Sequence, residues 1–312
     1  MRVLFAGTPQ VAVASLDRLV NDGFDVVAVL TREDAPVGRK RIMTPSPVAA
    51  RAAELGIEII HANRIGAETQ ERIAALDADI AAIVAYGGLV PEKALGIPRL
   101  GWVNLHFSLL PAWRGAAPVQ HSIMAGDDIT GAVTFQLEKG LDTGPVFGTL
   151  TEAIDPSDTA GELLGRLAVS GAVLLSQTLS GLDAEALVGV PQQGEGSYAH
   201  KLTLADGRID WSAPALAIRR RINGTTPDPG AWTELEGQRF KIGPPVPAED
   251  IGSLAPGQVM ITGGKQPRVV VGTGSHGLEL AQVQPPGKKM MNAADWARGM
   301  LASGTVDEVK FA

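Results

Sequence analysis

Asn104 and His106 stand two residues apart in the run GWVNLHFS, among the apolar neighbours Trp102, Val103, Leu105 and Phe107. Such a run is a buried strand, and an amide and an imidazole are costly there unless both have partners. On a strand, residues i and i+2 project to the same face. The two side chains therefore stand side by side at a carboxyl end, where open α/β sheets bind ligands. A histidine satisfied by a neighbouring carbonyl is the competing reading. A carboxylate within reach weighs against it: beyond the next apolar run the chain reads EKGLDTGPV, where Gly140 and Gly144 bend a short loop that brings Asp142 over the same crevice.

Asn, His and Asp with no nucleophilic Ser or Cys among them suit transfer between two bound substrates. An amide N–H stabilises an oxyanion, a histidine moves a proton or donates to that oxyanion, and an aspartate holds the histidine and raises its pKa. Such a set fits an amine attacking a carbonyl carbon. Other chemistries lack their signatures. The first βα turn, FAGTPQVA, has Gly7 alone instead of a G-x-G-x-x-G, and Thr31 and Arg32 stand where a dinucleotide fold places an acid. Neither a phosphate-binding G-x-x-x-x-G-K-[ST] nor a G-x-S-x-G occurs. With no cysteine there is neither disulfide nor thiolate centre, and His106 and His121 lack a third ligand, so no metal is expected.

The elements that must position these residues alternate in the first half. Strands are expected at 2–7, 25–31, 57–60, 79–85, 101–108 and 132–137. Thr8 and Pro9 open a helix that ends at Gly23, and another helix spans 158–181. Near-continuous apolar strands between helices mean a parallel sheet covered on both faces, and the fold class expected is α/β, Rossmann-like and mostly parallel. Residues 188–205, rich in Gly, Pro and Gln without period, read as a linker between a catalytic domain at 1–187 and a C-terminal domain at 206–312. There, after a helix at 214–224, short strand candidates recur at the spacing of a small β-barrel. The long loop 31–48 carries Arg39, Lys40 and Arg41, and loops of that length are usually functional.

The chain has 312 residues and a net charge of −7, which alone argues against a nucleic-acid partner. The average hides an asymmetry: residues 1–200 hold 14 Lys+Arg against 23 Asp+Glu, whereas 201–312 hold 13 against 11. Local basic clusters, including Arg219 to Arg221 and Lys288 with Lys289, are candidates for phosphate contact. Neither a membrane span nor a signal peptide is read from the sequence, and a cytoplasmic location is expected.

The string NLHFSLLPAWRGAAPVQ, followed by GLDTG, resembles the folate-dependent formyltransferases. Matched position by position, that family's catalytic Asn, His and Asp fall on Asn104, His106 and Asp142. The resemblance implies that these three move a formyl group from 10-formyltetrahydrofolate to an amine, and that Ser108, Leu109, Leu110 and Pro111 line the folate site. FAGTP, TPSPV, AYGGLVP, WRGAAP, RIDW and GKKM narrow the resemblance, over nearly the whole chain, to the branch that formylates methionyl initiator tRNA for translation initiation. That branch implies a C-terminal OB-like β-barrel that helps hold tRNA, and a basic loop at Arg39, Lys40 and Arg41 that reaches the acceptor end. It also implies charged initiator tRNA and the folate as partners of a monomeric enzyme. Arg114 either anchors substrate or braces its turn. Where the family has Gly after the histidine this chain has Phe107, which alternation points away from the His face and toward a helix. The rivals are the same chemistry on a small amine such as an amino sugar nucleotide, a hydrolase releasing formate from the folate, and an RNA-binding protein without catalysis.

Overall fold

The computed structural model describes residues 1–38, 40–252, 254–264, 266–303 and 309–312. They form two compact units: Met1–Pro118, Ile129–Ala153 and Leu164–His200 make the first, and Val119–Asp128, Ile154–Leu163 and Lys201–Ala312 the second. The first unit thus keeps residues 188–200 of the segment expected as a linker.

The strands of the first unit are β1 (Arg2–Gly7), β2 (Asp25–Thr31), a short hairpin β3 (Ala35–Val37) and β4 (Ile42–Thr44), β5 (Ile59–His61), β6 (Ile80–Val84), β7 (Trp102–His106), β8 (Arg114–Gly115), β9 (Ile129–Gln136), β10 (Val146–Ala153) and β11 (Tyr198–Ala199). Seven of them build one sheet in the order β10-β9-β7-β6-β1-β2-β5. From β7 to β5 every pairing is parallel, as near-continuous apolar runs such as IAAIV require. The sixth expected strand, β9, departs from this: it runs antiparallel to both β7 and β10. The connection 137–145 is too short for the crossover that a parallel β9 and β10 would need.

Helices α1 (Gln10–Asn21), α2 (Pro47–Leu55), α3 (Ala67–Ala75), α4 (Glu92–Leu95), α5 (Pro118–Ala125) and α6 (Ala160–Asp183) follow their strands. Thr8 does not cap α1, which begins one residue after Pro9; its hydroxyl donates to the Tyr86 carbonyl at 2.8 Å and ties the first turn to the loop after β6. Along α6, Leu167, Leu175 and Leu179 are buried at helical spacing, which is why a helix with the length and composition of a membrane span is half buried within the protein. A Cβ placed on Gly171 of α6 would lie 3.1 Å from Leu105 and 3.4 Å from Phe107. The face of β7 opposite His106 is therefore packing surface, and Phe107 lies against a helix as alternation expects.

The second unit contains two four-stranded antiparallel sheets, consistent with a small barrel. One comprises β12 (Trp232–Leu235), β13 (Gln238–Ile242), β18 (Gln282–Gln284) and β19 (Met291–Asn292); the other comprises β14 (Pro245–Ala248), β15 (Val259–Ile261), β16 (Val269–Val271) and β17 (Gly277–Leu280). With helices α7 (Ala215–Gly224) and α8 (Ala293–Ser303) they enclose an aromatic centre in which Phe240 lies 5.1 Å from both Trp296 and Phe311. The strand candidates of the C-terminal sequence, AWTELEG, QRFKIG, GQVMI, PRVVVGTG and GLELAQVQP, leave out β14, because PPVPA reads as a breaker; β14 is an edge strand, where proline is tolerated.

Candidate active site

β7 delivers Asn104 and His106 to one side of the sheet. Asn104 is half-buried, and among the described residues its amide has no protein hydrogen-bond partner, leaving a carbonyl and an N–H₂ group available to a ligand. His106 is only 6% exposed. Its Nε2 lies 3.0 Å from the Trp113 carbonyl oxygen. That oxygen can only accept, so Nε2 carries the proton and Nδ1 holds the lone pair in the neutral ring. Nδ1 faces Asp142 Oδ2 at 3.8 Å, too far for a direct hydrogen bond but close enough for the carboxylate to stabilise positive charge on the ring.

Asp142 is brought there by a path the sequence does not reveal. Because β9 is antiparallel, its carboxyl end lies beside the amino end of β7, with Gln136 opposite Val103. Residues 137–145 must then travel back alongside β7 to reach His106. Two glycines make the return possible. A Cβ on Gly140 would lie 2.2 Å from the Thr143 hydroxyl, and one on Gly144 only 1.8 Å from the Gln136 carbonyl oxygen. Asp142 itself adopts φ 51°, a left-handed conformation that an L-residue keeps only when its surroundings hold it. The Gly115 N–H holds its carboxylate, donating to Oδ2 at 2.7 Å.

Gly115 sits at φ +120°, and a Cβ there would lie 2.6 Å from the Ala199 carbonyl oxygen, in the parallel pairing of β8 with β11. Gly115→Ala is expected to cost about 1–3 kcal/mol of stability through strain and overpacking. It should lower turnover at least roughly tenfold, by moving the N–H that fixes Asp142. Thermal unfolding and single-turnover rates on the same preparation check this; an unchanged rate defeats the anchoring role.

Burial pushes the His106 imidazole below the ordinary histidine range, opposed by the Asp142 charge and by the hydrogen bond to Trp113. At neutral pH the ring is therefore neutral and able to accept a proton at Nδ1. Among the described residues no group of three or more His, Cys, Asp or Glu is placed to hold a metal ion.

The turn after β7 is compact. The Ser108 hydroxyl is fully buried and donates to the Ala112 carbonyl at 2.6 Å, while Leu109, Leu110 and Pro111 are half-buried. Ser108 thus braces the turn, and the next three residues form its wall. Arg114 gives Nε and Nη2 to Gln192 Oε1 at 3.3 and 2.6 Å. Arg39 lies outside the described residues; Lys40 and Arg41 are exposed on the hairpin of β3 and β4, beside exposed Ile42 and Met43. In the second unit, Arg221 donates to the Asp206 carbonyl at 2.9 Å and Arg220 covers Gly126, so two of the three clustered arginines serve the fold. Lys288 and Lys289 are exposed. Sequence reasoning missed Trp232, whose ring lies 5.6 and 6.0 Å from the guanidinium carbons of Arg208 and Arg239. It also missed Gln192, inside a stretch without period, which offers no signal of its own.

Comparison with known proteins finds the model of the formyl transferase family over residues 1–179 and that of the formyl transferase C-terminal domain over 201–301. A methionyl-tRNA formyltransferase of Arthrobacter sp. (strain FB24) is 68% identical over 302 residues, covering 97% of this chain and 98% of its own. The protein of that name from Renibacterium salmoninarum is 62% identical over 311 residues, covering 100% and 99%. Among solved structures, WlaRD, a sugar 3N-formyl transferase in the presence of dTDP and 5-N-formyl-THF, superimposes with a TM-score of 0.67 at 16% identity over 93% of this chain and 99% of its own. HypX from Aquifex aeolicus in complex with tetrahydrofolic acid gives 0.63 at 16% identity, covering 99% of this chain and 48% of its own. At such identity these two show a shared fold alone.

Proposed function

Because this chain belongs to the formyl transferase family, we infer that it transfers the formyl group of 10-formyltetrahydrofolate to the α-amino group of methionine carried by initiator tRNA. The observation that carries the reading is 68% identity to a methionyl-tRNA formyltransferase across 97% of the chain. The basic excess of residues 201–312, 13 Lys+Arg against 11 Asp+Glu, supports it, since a phosphate backbone is bound through cations.

The site's own residues fit this chemistry. The α-amino group must be neutral to attack the formyl carbon. As the C–N bond forms, the carbonyl oxygen gains charge, and the Asn104 amide donates to it. The proton leaving the amine passes to Nδ1 of the neutral His106, and Asp142 stabilises the imidazolium so formed. Collapse of the tetrahedral adduct breaks the bond to the folate nitrogen, and the same proton neutralises that leaving group. Leu109, Leu110 and Pro111 are proposed to line the folate site, with Ser108 shaping their turn. Lys40 and Arg41, together with Arg39, are proposed to meet the tRNA acceptor end. Arg114, already given to Gln192, is proposed to brace its turn in preference to contacting tRNA. Trp232, with the guanidinium groups of Arg208 and Arg239 near its ring, offers the aromatic and cationic pairing that suits nucleic acid. A monomeric, cytoplasmic enzyme fits this reading, with the boundary between its two domains inside 188–205.

One assay tests it. The protein is given 10-formyltetrahydrofolate with charged initiator tRNA, charged elongator tRNA or an amino sugar nucleotide, and the formylated product is followed. Formylmethionyl-tRNA from the initiator alone is expected; a formylated small amine without formylated tRNA, or formate release without acceptor, overturns the reading.

A further inference from the structure

We propose that Gln192 is a positioning residue for the transfer reaction, a single amide that locks the Asp142 loop and the turn carrying Gly115 into register with His106. The proposal rests on the reading of Asn104, His106 and Asp142 given above. Gln192 lies in the segment that composition marks as a linker, yet all four of its hydrogen-bonding positions are used. Nε2 donates to the carbonyls of Asp142 at 2.8 Å and Gly144 at 2.9 Å, while Oε1 accepts from Arg114 Nε and Nη2.

Those partners are the two segments that define the carboxylate. Asp142 is in the left-handed region, so its backbone needs an external hold, and its own carbonyl is one of the two that Gln192 binds. The N–H that fixes its Oδ2 belongs to Gly115, the residue next to Arg114. Gln192 is itself fastened on both sides. Val190 exchanges a pair of 2.8 Å hydrogen bonds with Val146, and the Trp113 N–H donates to Ser197 Oγ at 2.9 Å. Tyr198 and Ala199 pair with Arg114 and Gly115. Trp113 also supplies the carbonyl that sets the His106 tautomer. One strap therefore carries the contacts that orient both partners of the proton-transfer pair.

The chemistry explains why the residue is an amide. Two carbonyls require two N–H donors and a guanidinium requires an acceptor, and among side chains of this reach glutamine supplies both. Gln192→Glu keeps the length and the Arg114 contact but points lone pairs at both carbonyls. Gln192→Ala removes every contact.

The test measures kcat and KM for each substrate with Gln192→Glu, Gln192→Ala and the exposed neighbour Gln193→Ala, together with thermal unfolding and the pH midpoint of the His106 ring by NMR. Both Gln192 variants are expected to lose roughly tenfold to a hundredfold in kcat with each KM within about twofold. The His106 midpoint should fall to lower pH as Asp142 drifts away, and Gln193→Ala should match the parent. If Gln192→Ala fails to fold, the near-isosteric Gln192→Glu carries the same readouts. An unchanged kcat per folded molecule, a loss confined to KM, or an unmoved His106 midpoint overturns the proposal. His106→Ala and Asp142→Ala run alongside: if they keep full activity the reading of the site has failed, whereas if they lose it and the Gln192 variants do not, only the role of Gln192 has.

Discussion

His106→Ala is expected to lower turnover by at least roughly a hundredfold, about 2.7 kcal/mol of transition-state stabilisation. The proton of the attacking amine would then lack its acceptor, and Asp142 would face no imidazolium to stabilise. The fold should survive, because the face of β7 that packs on α6 belongs to Leu105 and Phe107. Asn104→Ala should cost a comparable factor, since among the described residues its amide has no protein partner and its donor capacity is open to the developing oxyanion. The two losses should not add. Both groups act on one tetrahedral adduct, so the double variant should fall well short of the product of the single losses. Single-turnover rates at saturating substrates, with circular dichroism to confirm folding, decide this. A His106→Ala enzyme within a few fold of the parent would remove proton transfer from the mechanism.

Much of this site was legible in the sequence because it is written in strand periodicity. Asn104 and His106 share a face for the same reason that Phe107 does not, and the burial of Phe107 against α6 follows from that alternation. Asp142 was legible only in part. The glycines of KGLDTG mark a bent loop, but the direction of β9 decides whether that loop ends near His106 or travels back to reach it, and apolar runs do not encode strand direction. The backbone groups that fix the pair, the Trp113 carbonyl and the Gly115 N–H, have no side-chain signature. Gln192 was hidden for a related reason: the loss of period in 188–205 reads as a linker, and composition cannot distinguish a free linker from a strap held by main-chain bonds. In the C-terminal unit, turn chemistry revealed most strands and concealed β14, whose prolines suit an edge and are invisible to a rule written for interior strands.

Asp142→Asn tests the electrostatic half of the mechanism while preserving shape. The amide oxygen can still accept from the Gly115 N–H, so the loop should hold, but the charge facing Nδ1 is gone. Burial holds the His106 midpoint below the ordinary value and the Asp142 charge pushes it up; removing that charge therefore drives it further down. The acid limb of the rate profile, where His106 gains the proton that disables it as an acceptor, should move to lower pH. Turnover at neutral pH should nevertheless fall by roughly one to two orders of magnitude, because a weaker base takes the amine's proton less readily. Stability follows the same sign. The unfolded chain protonates His106 near pH ~6.5 and the native state at lower pH, so the contribution is present above ~6.5, declines as pH falls toward the native midpoint, and declines over a wider window in the variant. Long-range proton–nitrogen NMR on the ring reads the midpoint and the tautomer together. A midpoint that rises in Asp142→Asn, or a neutral ring protonated at Nδ1, contradicts the assignment of Nδ1 as the atom that accepts the proton and of Asp142 as the charge that steadies it.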